Sequence, residues 1–186
     1  MKIELKNVKF SEFASEETNC FQAAVYIDGK KAGVVSNDGH GGPDYYAPHS
    51  LGETLNDYAK TLPKYEFYGR LHDHNAETFI GDLFDNHQSE KKLKALLKTK
   101  YVFTVSGQHG IYSQKYYVVK GMSLDEVIRS HVAAKKEAVL TANLKAEKLL
   151  NFMPFDEALA LFKVNVKPLA HLSKPQPSEA DPQYSF

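Results

Sequence analysis

From Asn37 to Gly42 the chain reads Asn37-Asp38-Gly39-His40-Gly41-Gly42, an amide, a carboxylate and an imidazole set among three glycines. Glycine lets a backbone N–H approach a ligand closely, and successive N–H groups in a turn form a concave nest for anions. Asp38 and His40 supply a carboxylate and an imidazole beside such a nest. Tyr45 and Tyr46 follow closely enough to stack on a planar ring. The pattern suits a phosphate, a nucleotide or a metal-bound water. It is neither a Walker motif nor a dinucleotide fingerprint, because the glycine spacing and the following lysine are missing. Glycines that merely satisfy the backbone angles of a long turn give the same composition.

Two other clusters carry reactive side chains. In Arg70-Leu71-His72-Asp73-His74-Asn75, alternate spacing points the imidazoles of His72 and His74 the same way on a strand, and Asp73 adds a carboxylate from a turn. Divalent metals use such groups. With Asp38 and His40 they define the alternative chemistry, a small metal-dependent hydrolase, although a solvated polar turn has the same residues. Gly107-Gln108-His109-Gly110 again sets a histidine between glycines, after the strand-like run Tyr101–Ser106. If both glycine loops lie at one edge of one sheet, His40 and His109 face an anion from two sides or belong to two subunits of a dimer. Tyr112, Tyr116 and Tyr117 would then offer stacking surfaces. The lysines at 91, 92, 94, 98 and 100 fit the solvated face of a helix whose Leu93, Leu96 and Leu97 turn inward. Cys20 has no histidine at an assignable spacing and suits a buried, inert position.

The elements that must position these groups follow from periodicity. Lys2–Phe10 alternates as a first strand. Cys20–Asp28 and Lys31–Asn37 make a hairpin about Asp28-Gly29, since both residues tolerate the positive φ of a tight turn. Ser50 with Glu53 has the capping-box pattern, opening a helix with Leu51, Leu55, Tyr58, Ala59 and Leu62 on one face and Pro63 as its stop. Lys64–His74 mixes aromatic and charged residues and fits a strand or a loop equally. Ala76–Lys98 is helical, with a break expected over Asp85–Ser89. Tyr101–Ser106 is a strand, Gly107–Ser113 a loop and Lys115–Lys120 the hairpin partner. Ser123 with Glu126 opens a long helix toward Asn151, and Pro154 starts a short one with Phe155, Ala158, Leu159 and Phe162 inward. The expected fold is α+β: one antiparallel sheet of about five strands (roughly 2–10, 20–28, 31–37, 100–106 and 115–120) with helices on one face. A single domain covers 1–164. The proline-rich stretch 165–186 is expected to be a flexible or partner-bound tail.

Composition narrows the function. The 186 residues carry 23 basic and 23 acidic side chains, a formal net charge of zero, which argues against non-specific nucleic-acid binding as the main task. Near-zero charge also leaves homodimer formation unopposed. A single cysteine excludes an internal disulfide framework and fits a reducing, cytoplasmic setting. The start MKIELKNVKFSEF lacks the apolar core of a signal peptide, and no apolar run reaches the roughly 18 residues of a membrane helix.

The run FASEETNCFQAAVYIDGKKAGVVSNDGHGG resembles a group of uncharacterised small proteins from bacteriophages and prophage-bearing bacteria. The resemblance covers Phe13–Tyr46 and brings no activity or site residues with it. It implies a cytoplasmic accessory protein of a bacterial host cell, one that sequesters a small molecule or blocks a host protein. The sequence thus points to non-catalytic binding of an anionic small molecule, such as a nucleotide, or of a host protein. Asn37, Asp38, Gly39, His40, Gly41 and Gly42 would form the loop, helped by Tyr45, Tyr46 and His109. No cofactor is expected; a divalent metal belongs to the hydrolase alternative. A protein-interaction module using the aromatic surface and the proline-rich end is the third reading.

Overall fold

The computed structural model describes residues 1–115, 122, 126 and 137–166. The class is α+β with antiparallel sheets. The strands expected in one five-stranded sheet are divided instead, the first three lying in a four-stranded sheet and that at 100–106 in a three-stranded one, with a further two-stranded hairpin between them in the sequence. The described residues fall into two compact units, one within Met1–Gln88 and one within Ser89–Phe186.

The first unit is built on a four-stranded meander in the order β1 (Ile3–Ser11), β2 (Cys20–Ile27), β3 (Lys30–Asn37), β4 (Tyr45–Ala47). The β2–β3 hairpin turns on Asp28 and Gly29, with φ of 47° and 80°, and pairs Ile27 with Lys30. Two positive φ values in a two-residue loop match the twist of the flanking strands, which is why the Asp-Gly dipeptide marks this turn. Asp28 also ties down the first strand: its carboxylate accepts from the Lys2 N–H at 2.7 Å, and its own N–H donates to the Lys2 carbonyl at 2.8 Å.

Phe21, Ala23 and Val25 alternate onto one face of the sheet, where they meet Ile3 and Val35. Helix α1 (His49–Ala59) adds Leu51 and Leu55, and the start of helix α2 (Ala76–Leu97) adds Ala76, Ile80 and Phe84. The helices of this unit therefore cover one face, as expected. Gly33 is the point of closest approach: a Cβ there would strike the Ala47 carbonyl oxygen and come within 2.8 Å of the Leu51 side chain.

Ser50 and Glu53 do not form the expected capping box. The helix starts at His49, with Pro48 as N-cap and no side-chain cap bond. A cap is worth about 1 kcal/mol, whereas full burial of a leucine contributes about 1.5–3 kcal/mol. Burial of Leu51 and Leu55 outweighs the missing cap. The helix ends at Ala59, earlier than Pro63 alone would dictate. The ambiguous stretch after it is a small hairpin, β5 (Tyr65–Phe67) and β6 (Arg70–His72), turning on Tyr68 and Gly69 at φ 50° and 72°. Helix α2 is entered through Asn75, whose side chain accepts from the Thr78 N–H at 2.8 Å while the Thr78 hydroxyl accepts from the Asn75 N–H at 2.9 Å. No break occurs over Asp85–Ser89. Polar residues other than glycine and proline cost at most about 0.7 kcal/mol each in a helix, too little to interrupt one.

The second unit carries β7 (Lys100–Val105) between β8 (Gln108–Lys115) and β9 (Lys148–Leu149). The expected loop over Gly107–Ser113 is strand from Gln108 onward, because Ser106 and Gly107 (φ 72°) already turn the chain and Val105 pairs with Gln108. Of the expected partner strand Lys115–Lys120, residues after Lys115 lie outside the described residues, as does most of the helix from Ser123; its later part is α3 (Glu137–Leu144). A 3-10 turn (Leu150–Phe152) and α4 (Phe155–Val166) follow. Helix α4 runs through the expected tail boundary at 165, and the rest of that tail lies outside the described residues. Both faces of β7 are covered: Val102 joins Leu93, Leu150, Ala158, Leu159 and Phe162, while Tyr101 and Phe103 join Leu149. Asn151 extends the strand bonding, accepting from the Val102 N–H at 2.7 Å and donating to the Lys100 carbonyl at 3.0 Å.

Candidate functional site

The glycine loop joins β3 to β4, and Asn37 is its hub. The Asn37 Oδ1 accepts from the Gly39 N–H (2.9 Å) and the Thr18 hydroxyl (2.7 Å). Its Nδ2 donates to the Gly42 carbonyl and the Asp44 carboxylate, both at 3.0 Å. Three of the loop amides expected to form an anion nest are engaged within the protein. Gly39 donates to Asn37, His40 to the Asp38 carboxylate (3.2 Å) and Gly41 to the Thr18 hydroxyl (3.3 Å). The converging amides lie on the other side of the contact: the N–H groups of Glu16, Glu17 and Thr18 all donate to the Gly39 carbonyl, at 3.0, 2.9 and 3.2 Å. Gly39 is required there, since φ is 92° and a Cβ would collide with the Ala14 carbonyl oxygen. His40 is exposed and its Nδ1 lies 3.3 Å from the Glu16 carboxylate. Tyr45 faces solvent. Tyr46 is half-buried against α1, where a Cβ on Gly52 would lie 2.9 Å from its ring.

Beside the loop is a cavity of about 540 Å³. Asn37, Gly41, Gly42, Pro43 and Asp44 form the loop wall, and Glu77, Gly81 and Phe84 of α2 form the wall opposite. Thr18, Asn19 and Phe21 close the remainder. The two walls are tied by the Asp44 N–H, which donates to Glu77 Oε1 at 3.0 Å. Burial pushes the Asp44 carboxyl above the usual carboxylate range; the Asn37 hydrogen bond opposes this and the Glu77 charge adds to it. Burial also raises the Tyr46 hydroxyl well above the ordinary phenol value, reinforced by the negative charges of Asp44 and Glu77. A long 3.4 Å bond joins the Tyr46 hydroxyl to Asp44.

The histidine-rich cluster does not converge. Asp73 pairs with Lys64 at 3.1 Å, and the rings of His72 and His74 both pack on Tyr65, with centroids 5.8 and 4.7 Å away. His74 Nδ1 is buried without a hydrogen-bond partner and stands 4.0 Å from Asp82. Among the described residues no group of three or more His, Cys, Asp or Glu side chains is placed to hold a metal ion. His109 lies on β8, in a different sheet from the glycine loop, so the two histidine loops do not share one sheet edge. It borders a separate cavity of about 320 Å³ with Glu147 and Lys148. Tyr112 stacks on Phe103 and bonds Gln108 at 2.8 Å, while Tyr116 and Tyr117 lie outside the described residues. Lys94 pairs with Glu90 at 3.0 Å. Cys20 is a free, half-buried thiol. No described helix is long and apolar enough to cross a membrane.

The spacing singled out Asn37, Gly41 and Gly42 but not Thr18, Asn19, Phe21, Asp44, Glu77, Gly81 or Phe84. Asp44 carried a local signal, as the first acidic residue after the glycines. The α2 residues carried none, because their role depends on a tertiary approach. No family model matches the chain, and searches of curated proteins and of solved structures likewise find no match.

Proposed function

We propose that the protein is a non-catalytic binding protein that holds a small molecule in the cleft between the glycine loop and α2. The observation that carries this reading is the 540 Å³ cavity itself, walled by a loop whose Gly39, His40 and Gly41 N–H groups are bonded within the protein. Such a loop is ordered before a ligand arrives, which lowers the entropic cost of binding. The space at Gly42 and Gly81 is open, since a Cβ at either would meet nothing within 4 Å. The Thr18 hydroxyl, the one hydroxyl bordering the cleft, is committed to Asn37 and so is poorly placed as a nucleophile. The resemblance of Phe13–Tyr46 to phage-type proteins favours an accessory role in the cytoplasm of a bacterial host, sequestering a host small molecule.

Native mass spectrometry of the protein purified from cells, before and after mild denaturation, tests this directly. A released small-molecule mass that is lost in Gly81→Leu, which fills the cleft, supports the proposal. The same bound mass in Gly81→Leu refutes it.

A second reading, docking to a host protein, is favoured by the β5–β6 hairpin. Phe67, Tyr68 and Leu71 are 51%, 79% and 69% exposed there, more apolar surface than a free hairpin normally shows. A pull-down from host lysate with Tyr68→Ser/Leu71→Ser as the control separates the two.

A further inference from the structure

We infer that the cleft selects a positively charged ligand head, an ammonium, amidinium or guanidinium group, carried on an apolar body. This rests on the binding reading above and reverses the sign of the ligand that the glycines alone suggest.

Charge is the first argument. Asp44 and Glu77 are the ionisable side chains bordering the cleft, and both are acidic. Neither forms an ion pair among the described residues. Two adjacent carboxylates repel an anion and attract a cation, more strongly in a partly desolvated cleft than in water. Burial has already pushed the Asp44 carboxyl upward, and a bound cation would reverse that shift.

Donor supply is the second argument. An anion needs N–H groups, and of those bordering the cleft the Gly41 and Asp44 N–H groups are spent on Thr18 and Glu77 and the Asn37 amide on Gly42 and Asp44. Acceptors remain in surplus: a carboxylate has about four lone-pair sites, and Glu77 uses one oxygen on the Asp44 N–H. A ligand rich in N–H donors fits this imbalance. The third argument is shape. Phe21 and Phe84, core side chains packed on each other, give the cleft an apolar floor beside the open space over Gly81. Such a floor favours an apolar ligand body.

Three isosteric probes separate the possibilities: benzamidine, benzamide and benzoate, titrated at pH 7 into the full chain by ligand-observed NMR and calorimetry. Benzamidine is expected to bind, benzamide about tenfold more weakly and benzoate not at all, as loss of one charge-assisted contact implies. Glu77→Gln and Asp44→Asn should each weaken benzamidine about tenfold, and Gly81→Leu should abolish its binding. Benzoate binding as tightly as benzamidine, and blocked by Gly81→Leu, overturns the charge selection while leaving the cleft as the site. Absence of benzamidine binding, or binding indifferent to both carboxylate variants, also overturns it. Binding of all three probes undiminished by Gly81→Leu overturns the charge selection and the cleft together.

Discussion

Removing the Asn37 side chain should loosen the first unit more than any other single polar truncation in the loop. Of its four hydrogen bonds, those to Thr18, Gly39 and Asp44 are partly buried and that to the Gly42 carbonyl is exposed. Water replaces the exposed partner in Asn37→Ala; the other three lose about 1 kcal/mol each, or about 3 kcal/mol together. Asn37→Asp is the sharper variant. It keeps the oxygen that serves Thr18 and Gly39, but sets a carboxylate where an amide donor lay 3.0 Å from Asp44. At pH 7 it should be less stable than Asn37→Ala, and the gap should narrow on acidification, as one carboxyl of the pair takes up a proton. Urea unfolding followed by circular dichroism, with hydrogen exchange of the β2 and β3 amides reporting the first unit alone, measures both. An Asn37→Ala variant within about 0.5 kcal/mol of the parent would refute the hub, as would an Asn37→Asp variant of undiminished stability at pH 7.

Three further outcomes follow. Asp44→Asn should flatten the pH dependence of stability. The folded carboxyl binds its proton more tightly than the unfolded one, so its contribution is full below the ordinary value of 3.8 and is lost as pH rises through the raised one. The parent-minus-variant difference in Tm should therefore fall from acid toward pH 7, and parallel profiles would contradict the assignment. Gly33→Ala should cost about 3 kcal/mol or more, because its methyl meets the Ala47 carbonyl and Leu51 with no soft side to yield; thermal melts give the answer. In the second unit, Phe162→Ala should cost about 3–5 kcal/mol from a fully buried ring, visible as lost exchange protection in β7 with β2 unchanged.

Much of the local architecture was legible because its cause is local. Asp28-Gly29 fixes a hairpin through two positive φ values, and Leu51, Leu55 and Ala59 reveal their helix face by spacing alone. Where the signal was mixed, reading failed for identifiable reasons. The β5 and β6 strands are three residues each, largely exposed, and so have no buried alternation to read. The glycines at 107 and 110 suggested a long loop, while one of them merely completes a two-residue turn. Asn37, Gly41 and Gly42, which the sequence singles out, lie on one wall of the cleft. The opposite wall was hidden because nothing near Glu77, Gly81 or Phe84 in the chain records which loop they will meet. Glycine composition likewise does not record that the N–H groups of Gly39, His40 and Gly41 bond the protein's own oxygens.

The clasp on Gly39 separates scaffold from surface chemistry. Glu16, Glu17 and Thr18 hold its carbonyl through main-chain N–H groups, so the side chains at 16 and 17 are not what keeps the loop in place. Acidic, neutral or basic residues at those two positions preserve the anchor, whereas proline at either deletes one of its three bonds. The charge at positions 16 and 17 is therefore free to drift over generations without loosening the fold beneath it, while the charge of the cleft stays with Asp44 and Glu77.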